Sequence, residues 1–452
     1  MSTSGRVENI AVDLETLSIE SVQPGDDQNP DKGLSSVHVI GNDSWLQVGT
    51  MLATTFNSGI ILSYSSIIMV PLGWTWGVTS LVAVGLYSAY ANWLLASFHF
   101  VDGKRFIRYR DLVGYALGKQ CYYLIWVAQF LTLILVNMGF ILLGGRSLKE
   151  MNAVLSNSPI RLQYFIIVAG VAYFIFSVCI PTMSAMRAWL GLSAILSAVY
   201  ITTSLTQCIP DGAKSNPNRN YNVSGTNVGK MFSAFSAISS LVAVNTSGML
   251  PEAQSTLKQP AVKNMRKALY MQFTVGLFFY YGMTIVGYWA YGSSASSYLP
   301  ENFTGPTWVK VLTDVSVFLQ FIVSQSMFAA PVQEFLDTKF LDPNHKLHSK
   351  QNFLRLMALR VVFFSVNTLV AAAFPFVADF VSLIGSFMLI PLTFVFPSLV
   401  FLKVKGKTAR IEKKIWHWFN VILFSSLTII TSTASVRLII RDVSTYSVFS
   451  NP

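Results

Sequence analysis

The chain has 452 residues, 52% of them hydrophobic and only 12% charged, with a mean hydropathy of +0.50. A soluble domain usually carries about 25% charged residues, so this apolar surplus calls for lipid rather than water. The formal charge of +11 would suit a nucleic-acid binder. The lysines and arginines fall instead in short gaps between apolar runs, which excludes nucleic acid and makes the lipid bilayer the expected surrounding.

Residues 1–44 are polar and acidic, with Glu8, Asp13, Glu15, Glu20, Asp26, Asp27, Asp31 and Asp43 set against Arg6 and Lys32. With few large apolar residues this stretch is expected to be a disordered cytoplasmic tail, and it shows no apolar core of a cleavable signal peptide. Eleven apolar stretches of bridging length follow: roughly 45–72, 76–99, 119–147, 162–181, 187–208, 230–257, 268–291, 308–335, 354–374, 377–402 and 415–440. Val101 to Gly118 is basic and partly amphipathic, and is expected to lie at the interface.

Span six organises the chain. KMFSAFSAISSLVAVNTSGMLPEAQSTLKQP begins as an apolar helix, breaks at Asn245-Thr246-Ser247-Gly248 and resumes at Pro251-Glu252. Proline needs no amide donor at a helix start, and an acid there meets the positive end of the dipole. The first span breaks likewise at Asn57-Ser58-Gly59. A Gly/Pro kink without a ligand would look the same locally, but paired breaks five spans apart, in oppositely directed spans, point to an inverted repeat with a midplane site. The expected organisation is an all-α membrane protein of eleven helices, a 5+5 inverted repeat plus one extra helix. Residues 45–208 form the first repeat, 209–229 an extracellular loop, 230–402 the second repeat, and 403–452 the last helix and C-terminus.

Charge bias gives the orientation. With a cytoplasmic N-terminus and an extracellular C-terminus, the inner segments hold 23 of the 32 lysines and arginines and the outer ones 9. The sequons at Asn222 and Asn302 then fall in outer loops.

Few ionisable residues lie deep in the spans: Glu252 is the clearest, Asp314 and Glu334 sit nearer span ends, and Asp379 is near an outer mouth. A cation would want a buried acid and an anion a buried arginine, whereas a small zwitterion can use helix N-termini and exposed carbonyls. The expected substrate-binding residues are Phe56, Asn57, Ser58, Gly59, Tyr64, Asn137, Phe140, Asn245, Thr246, Ser247 and Gly248. Tyr280 and Tyr281 add further aromatic surface, and Gly139, Ser324 and Gln325 could line the same cavity. Phe and Tyr walls favour a methylated ammonium, though in a chain this aromatic most rings only pack. Glu252 offers a titratable site for H+ coupling, and could equally cap its half-helix or pair with Lys258.

No metal site is expected. Cys121, Cys179 and Cys208 are scattered, without ligand spacing or a disulfide framework, and His38, His99, His345, His348 and His417 lie in the tail, at span ends or in loops. No cluster of His, Asp or Glu supports an enzyme, and no pore helix or charge ring supports a channel. Oligomeric state stays open.

Several longer motifs resemble the plant amino acid/auxin permease family. They are LGW at 72–74, GKR at 103–105 with Tyr109-Arg110-Asp111-Leu112, PEAQSTLKQP at 251–260, GYWAYG at 287–292, PVQEFLDTKF at 331–340 and PFVADFVSLIG at 375–385. KQPAVKNMRKALYMQFTVG at 258–276 most resembles the proline transporter group. The resemblance implies a leucine-transporter-like fold and a proton-coupled symporter in the plant plasma membrane. It also implies substrates such as proline, gamma-aminobutyrate and glycine betaine. Glu252, Gln254, Thr256 and Lys258 match the family motif after the second break, whereas Asn57-Ser58-Gly59-Ile60-Ile61 departs from the Gly-x-Gly of many relatives. A sensor on a transporter fold and a broad-range neutral amino acid permease are the alternatives.

Overall fold

The structure, a computed structural model, describes residues 42–156, 160–180, 187–214, 219–245, 248–342, 349–375 and 377–445. It is almost wholly helical. The first helix, α1 (Trp45–Phe56), starts where Ser44 and Gln47 form a reciprocal cap. The Gln47 amide donates to Ser44 Oγ at 3.2 Å, and the Ser44 amide donates to Gln47 Oε1 at 2.8 Å. This corrects the expected end of the tail. Residues 43 and 44 belong to the fold, and Asp43 pairs its backbone with Thr256 and Lys258 at 2.9 and 3.0 Å.

Beyond α1 the chain forms a short 3-10 turn (Gly59–Ser63) and a π turn (Ser65–Met69) before α2 (Val70–Ala96). Within α2, Gly73 adopts φ +68° and ψ −174°, a kink that separates the expected first and second spans. A side chain at that positive φ would be strained, which explains the glycine in the LGW joint. A hairpin of β1 (Phe100–Val101) and β2 (Lys104–Arg105) precedes α3 (Tyr109–Leu117), so the expected interfacial stretch is a two-stranded turn plus a short helix.

The remaining helices are α4 (Lys119–Leu155), α5 (Leu162–Cys179), α6 (Arg187–Ala213), α7 (Asn227–Val244), α8 (Leu250–Ser255), α9 (Ala261–Met271) and α10 (Leu277–Tyr291). After them come α11 (Thr307–Phe340), α12 (Lys350–Ala373), α13 (Val377–Ile384), α14 (Phe396–Val404) and α15 (Ile411–Thr445). A π turn joins α9 to α10, and two more join α13 to α14, where Pro391 and Pro397 remove amide donors from the ladder.

Among the described residues, ten helices are long and apolar enough to cross a membrane. The first expected span, 45–72, is not among them as a unit, because its break leaves only short pieces. The seventh expected span begins earlier than its apolar run, at Ala261. Large apolar side chains face outward along the helices, as with Phe278 at 73% exposure, the reverse of a water-soluble surface.

Helix α11 packs on α4 and α6, α5 on α12, and α1 on α9, while α15 lies against α7 and α14. Three apolar cores result, a small one around Ile390, Phe394 and Phe424 and two larger ones. One of the larger cores gathers Ile61, Leu62, Ile68, Tyr280 and Phe321, and the other gathers Phe98, Tyr109, Leu250, Leu257 and Met265. Leu135, Val136 and Ala243 pack against both larger cores, placing α4 and the end of α7 at their junction.

Candidate functional site

At the first break Asn57 ends α1 and Ser58 is extended (φ −66°, ψ 160°), which leaves backbone groups that no helix satisfies. In a membrane interior such groups need partners from the protein. Helices α11 and α6 supply them, and the Asn57 side chain in turn serves a neighbouring π turn. Gln320 Oε1 of α11 accepts the Gly59 amide at 3.1 Å, Tyr200 OH of α6 donates to the Asn57 carbonyl, and Asn57 Nδ2 donates to the Gly276 carbonyl at 3.0 Å. Gln320 Nε2 also donates to Ser324 Oγ at 2.6 Å, so that polar line continues down α11.

The second break is held in the same manner. Asn245 ends α7 and turns its Nδ2 back on the Leu241 carbonyl at 2.9 Å, while Gln129 Nε2 of α4 donates to the Gly248 carbonyl at 2.7 Å. Thr246 and Ser247 lie outside the described residues. Beyond the break, Pro251 and Glu252 stand in the first turn of α8. Glu252 Oε1 accepts from the Tyr109 amide at 3.2 Å and from Gln129 Nε2 at 3.1 Å. Glu252 Oε2 is buried and has no hydrogen-bond partner among the described residues. Gln129 therefore ties the break to the acid, and no ion pair between Glu252 and Lys258 occurs among the described residues.

Aromatic rings converge beside the breaks. Tyr280 of α10 lies edge-on to Tyr64 at 5.0 Å and to Phe56 at 6.3 Å between centroids. Phe56 also meets Phe273 at 5.4 Å. Beside these rings lie buried polar atoms that form no hydrogen bond among the described residues: Asn57 Oδ1 and Ser63 Oγ next to Phe56 and Tyr64 in the chain, and Asn245 Oδ1 and Tyr280 OH, whose side chains neighbour each other. Buried polar atoms are normally paired, so a group of orphans between two broken helices is what a ligand would complete.

One expected residue, Phe140, stands apart from that group, while Tyr281 adjoins it with its ring 5.0 Å from that of Tyr280. Phe140 packs on Phe321 and Phe328, each at 5.5 Å, and Tyr281 donates its hydroxyl to the Leu81 carbonyl. Asn137 accepts from Gln325 Nε2 at 2.8 Å, joining α4 to α11 as a pair of amides. Gly59 presses against α11: a Cβ there would lie 2.7 Å from Phe321 Cζ and 2.9 Å from Val317 Cγ1. Gln320, Tyr200 and Gln129 were not anticipated. The two glutamines, polar within apolar runs, carried a usable signal. Tyr200 carried none, being one tyrosine among eighteen.

On the side of the second core, Arg105 bridges the hairpin to the end of α8. Its Nε donates to His99 Nε2 at 3.1 Å, and its Nη2 donates to the Ser255 carbonyl at 2.9 Å. Burial, and secondarily the Arg105 charge, lower the His99 pKa to about 4. A cavity of about 550 Å³ forms an apolar groove between α5 and α12, lined by residues such as Tyr164, Ile167, Phe364 and Thr368. None of its lining comes from either break, so it is not the candidate site.

The arrangement can hold a small molecule between two unwound segments, and its chemistry is binding rather than bond making. Residues 41–438 match the family described as transmembrane amino acid transporter protein. The chain is 30% identical to GABA transporter 1 of Arabidopsis thaliana, over 90% of this chain and 93% of that one. It is 25% identical to lysine histidine transporter-like 1 of the same plant, over 84% and 85% of the two chains. In fold it is similar to the Eremococcus coleocola manganese transporter, with TM-score 0.55 and 12% identity over 91% of this chain and 92% of that one. A Na+-coupled sialic acid symporter gives TM-score 0.52 and 12% identity over 88% and 90%. These transporters share the leucine-transporter-like fold, and the family and its relatives are transporters, not enzymes. With the match running through nearly the whole described chain, this protein belongs to the transmembrane amino acid transporter family, among the plant amino acid permeases.

Proposed function

We propose that the chain is a proton-coupled symporter importing small zwitterions, such as proline, gamma-aminobutyrate and glycine betaine, by alternating access. In this reading the stretch 45–72 is one broken crossing that turns at Gly73, giving eleven crossings as a 5+5 inverted repeat plus one. The protein sits in the plasma membrane with its N-terminus inside and its C-terminus outside.

The observation that carries the reading is the group of orphaned atoms, Asn57 Oδ1, Asn245 Oδ1 and Tyr280 OH, beside Phe56, Tyr64 and Tyr280. All of these side chains are uncharged, so a ligand with net charge would be buried without a counter-ion. A zwitterion brings its own compensation. Its ammonium suits the amide oxygens and ring faces, and its carboxylate suits freed backbone amides and the tyrosine hydroxyl. A relative named as a GABA transporter supports a substrate of this size. Glu252, with one oxygen unpaired, is the proposed H+ carrier, because a buried carboxyl is cheaper protonated.

The test is uptake of labelled proline by sealed vesicles under an imposed pH gradient, with betaine, gamma-aminobutyrate and bulky amino acids as competitors. Small zwitterions should compete, bulky ones should not, and collapsing the gradient should abolish accumulation. Sodium dependence with indifference to pH would defeat the coupling, and accumulation of none of them would leave a binding protein without transport.

A further inference from the structure

We propose that Asp314 is a second proton-binding site, one that takes up its proton when the segment Leu299–Asn302 closes over it. Asp314 lies on α11, seven residues beyond its first residue, and is only 1% exposed. Its Oδ1 accepts the Tyr298 hydroxyl at 2.8 Å, while its Oδ2 is buried with no hydrogen-bond partner among the described residues. A carboxylate with one oxygen dry and unpaired is costly, and a proton on that oxygen removes the charge. Acids placed this way within a membrane helix are functional in most cases.

The cover is specific. Tyr298 and Leu299 are fully buried, and the 3-10 turn Leu299–Asn302 packs on both the Gly59–Ser63 turn and α11. The charged groups facing Asp314 are Glu150 of α4, Glu301 of the covering turn and Lys310 of α11 itself. Arg146 of α4 holds Ser297 beside the turn and stands near both glutamates. The two acids carry the same charge as an ionised Asp314, and the lysine carries the opposite one.

Linkage then gives the direction. When the turn lifts, water reaches Asp314 and the carboxylate is stable. When it closes, the site dries and the protonated form is favoured. Proton uptake therefore favours closure directly above the first break. The inference rests on the symport reading only for its role in transport, since the binding stands on this geometry.

The experiment uses the full chain in lipid nanodiscs carrying Leu299→Cys, with thiol labelling followed across roughly pH 5 to 8. Rates are divided by those of the denatured protein at each pH and compared with a chain retaining Leu299. A one-unit difference in the carboxyl pKa between open and closed states corresponds to about a tenfold change in labelling. We expect labelling about tenfold slower at the acid end, and slow at every pH once Asp314→Asn is added. Absence of pH dependence in the parent, or its survival in Asp314→Asn, overturns the proposal. Should Asp314→Asn fail to fold, Tyr298→Phe removes the donor that favours the carboxylate and should move the transition to higher pH. An unmoved transition overturns the proposal equally. Expected labelling with uptake indifferent to a pH gradient would sink the symport reading and leave the Asp314 site standing, and the converse pattern would do the reverse.

Discussion

Gln320 accepts the amide of Gly59 at 3.1 Å across 261 residues of chain. The contact converts the weakest point of the first span, an unwound turn, into a fixed one. Removing the acceptor strands that amide in a dry interior, at a cost of about 1–3 kcal/mol. Gln320→Leu should therefore lower both thermal stability and uptake, whereas Gln320→Glu retains an acceptor and should retain more of each. Thermal midpoints in nanodiscs, measured with uptake normalised to surface expression, decide it. Equal stability of the Leu variant and the parent would mean that water replaces the side chain.

Gly59 is set by steric contact with the same helix. A Cβ would lie 2.7 Å from Phe321 Cζ, and overpacking of this kind costs about 1–3 kcal/mol. Gly59→Ala should destabilise the protein, and adding Phe321→Leu should recover part of the loss. A double variant no better than the single one would show that the glycine is needed for its backbone and not for its missing side chain.

Tyr280 OH is buried beside the Asn245 side chain and forms no hydrogen bond among the described residues, so a structural role and a ligand role predict opposite outcomes. If the hydroxyl serves the substrate, Tyr280→Phe leaves stability unchanged or raised, while the apparent affinity weakens by up to about tenfold. Uptake kinetics set beside melting curves separate the two. Unchanged affinity would remove Tyr280 from the site.

Glu252→Gln keeps an oxygen for the Tyr109 amide, contacted at 3.2 Å in the parent, and removes the titratable proton. Facilitated exchange of substrate should persist while accumulation driven by a pH gradient is lost. Retained accumulation would move the coupling site elsewhere, with Asp314 the first place to look.

His99 gives a pH dependence of known sign. Burial, then the Arg105 charge, bring its pKa from the ordinary 6.5 to about 4. The unfolded chain takes up a proton at higher pH than the folded one. Stability is thus complete above 6.5 and declines as pH falls from 6.5 to about 4. His99→Gln keeps an acceptor for Arg105 and should flatten the fall in melting temperature across that window. A slope identical to the parent's would assign the acid sensitivity to other groups.

The sequence by itself determined the apolar helices, the two interruptions, the helix restart at Pro251-Glu252 and the family. Each of these is written in neighbouring residues, as runs of hydrophobicity, breaker residues and motifs. It also put Asn57 and Asn245 among the candidate residues as parts of the breaks, and Phe56 and Tyr64 among them as aromatic surface. The tertiary structure alone decided which partners complete those breaks. Gln320, Tyr200 and Gln129 reach them from other helices, Phe140 turns toward Phe321 and Phe328, and Glu252 meets Tyr109 and Gln129. The physical reason lies in the backbone. An unwound segment in a dry interior must find hydrogen bonds wherever the packed helices bring a donor or acceptor, and that juxtaposition leaves no periodic trace in the chain.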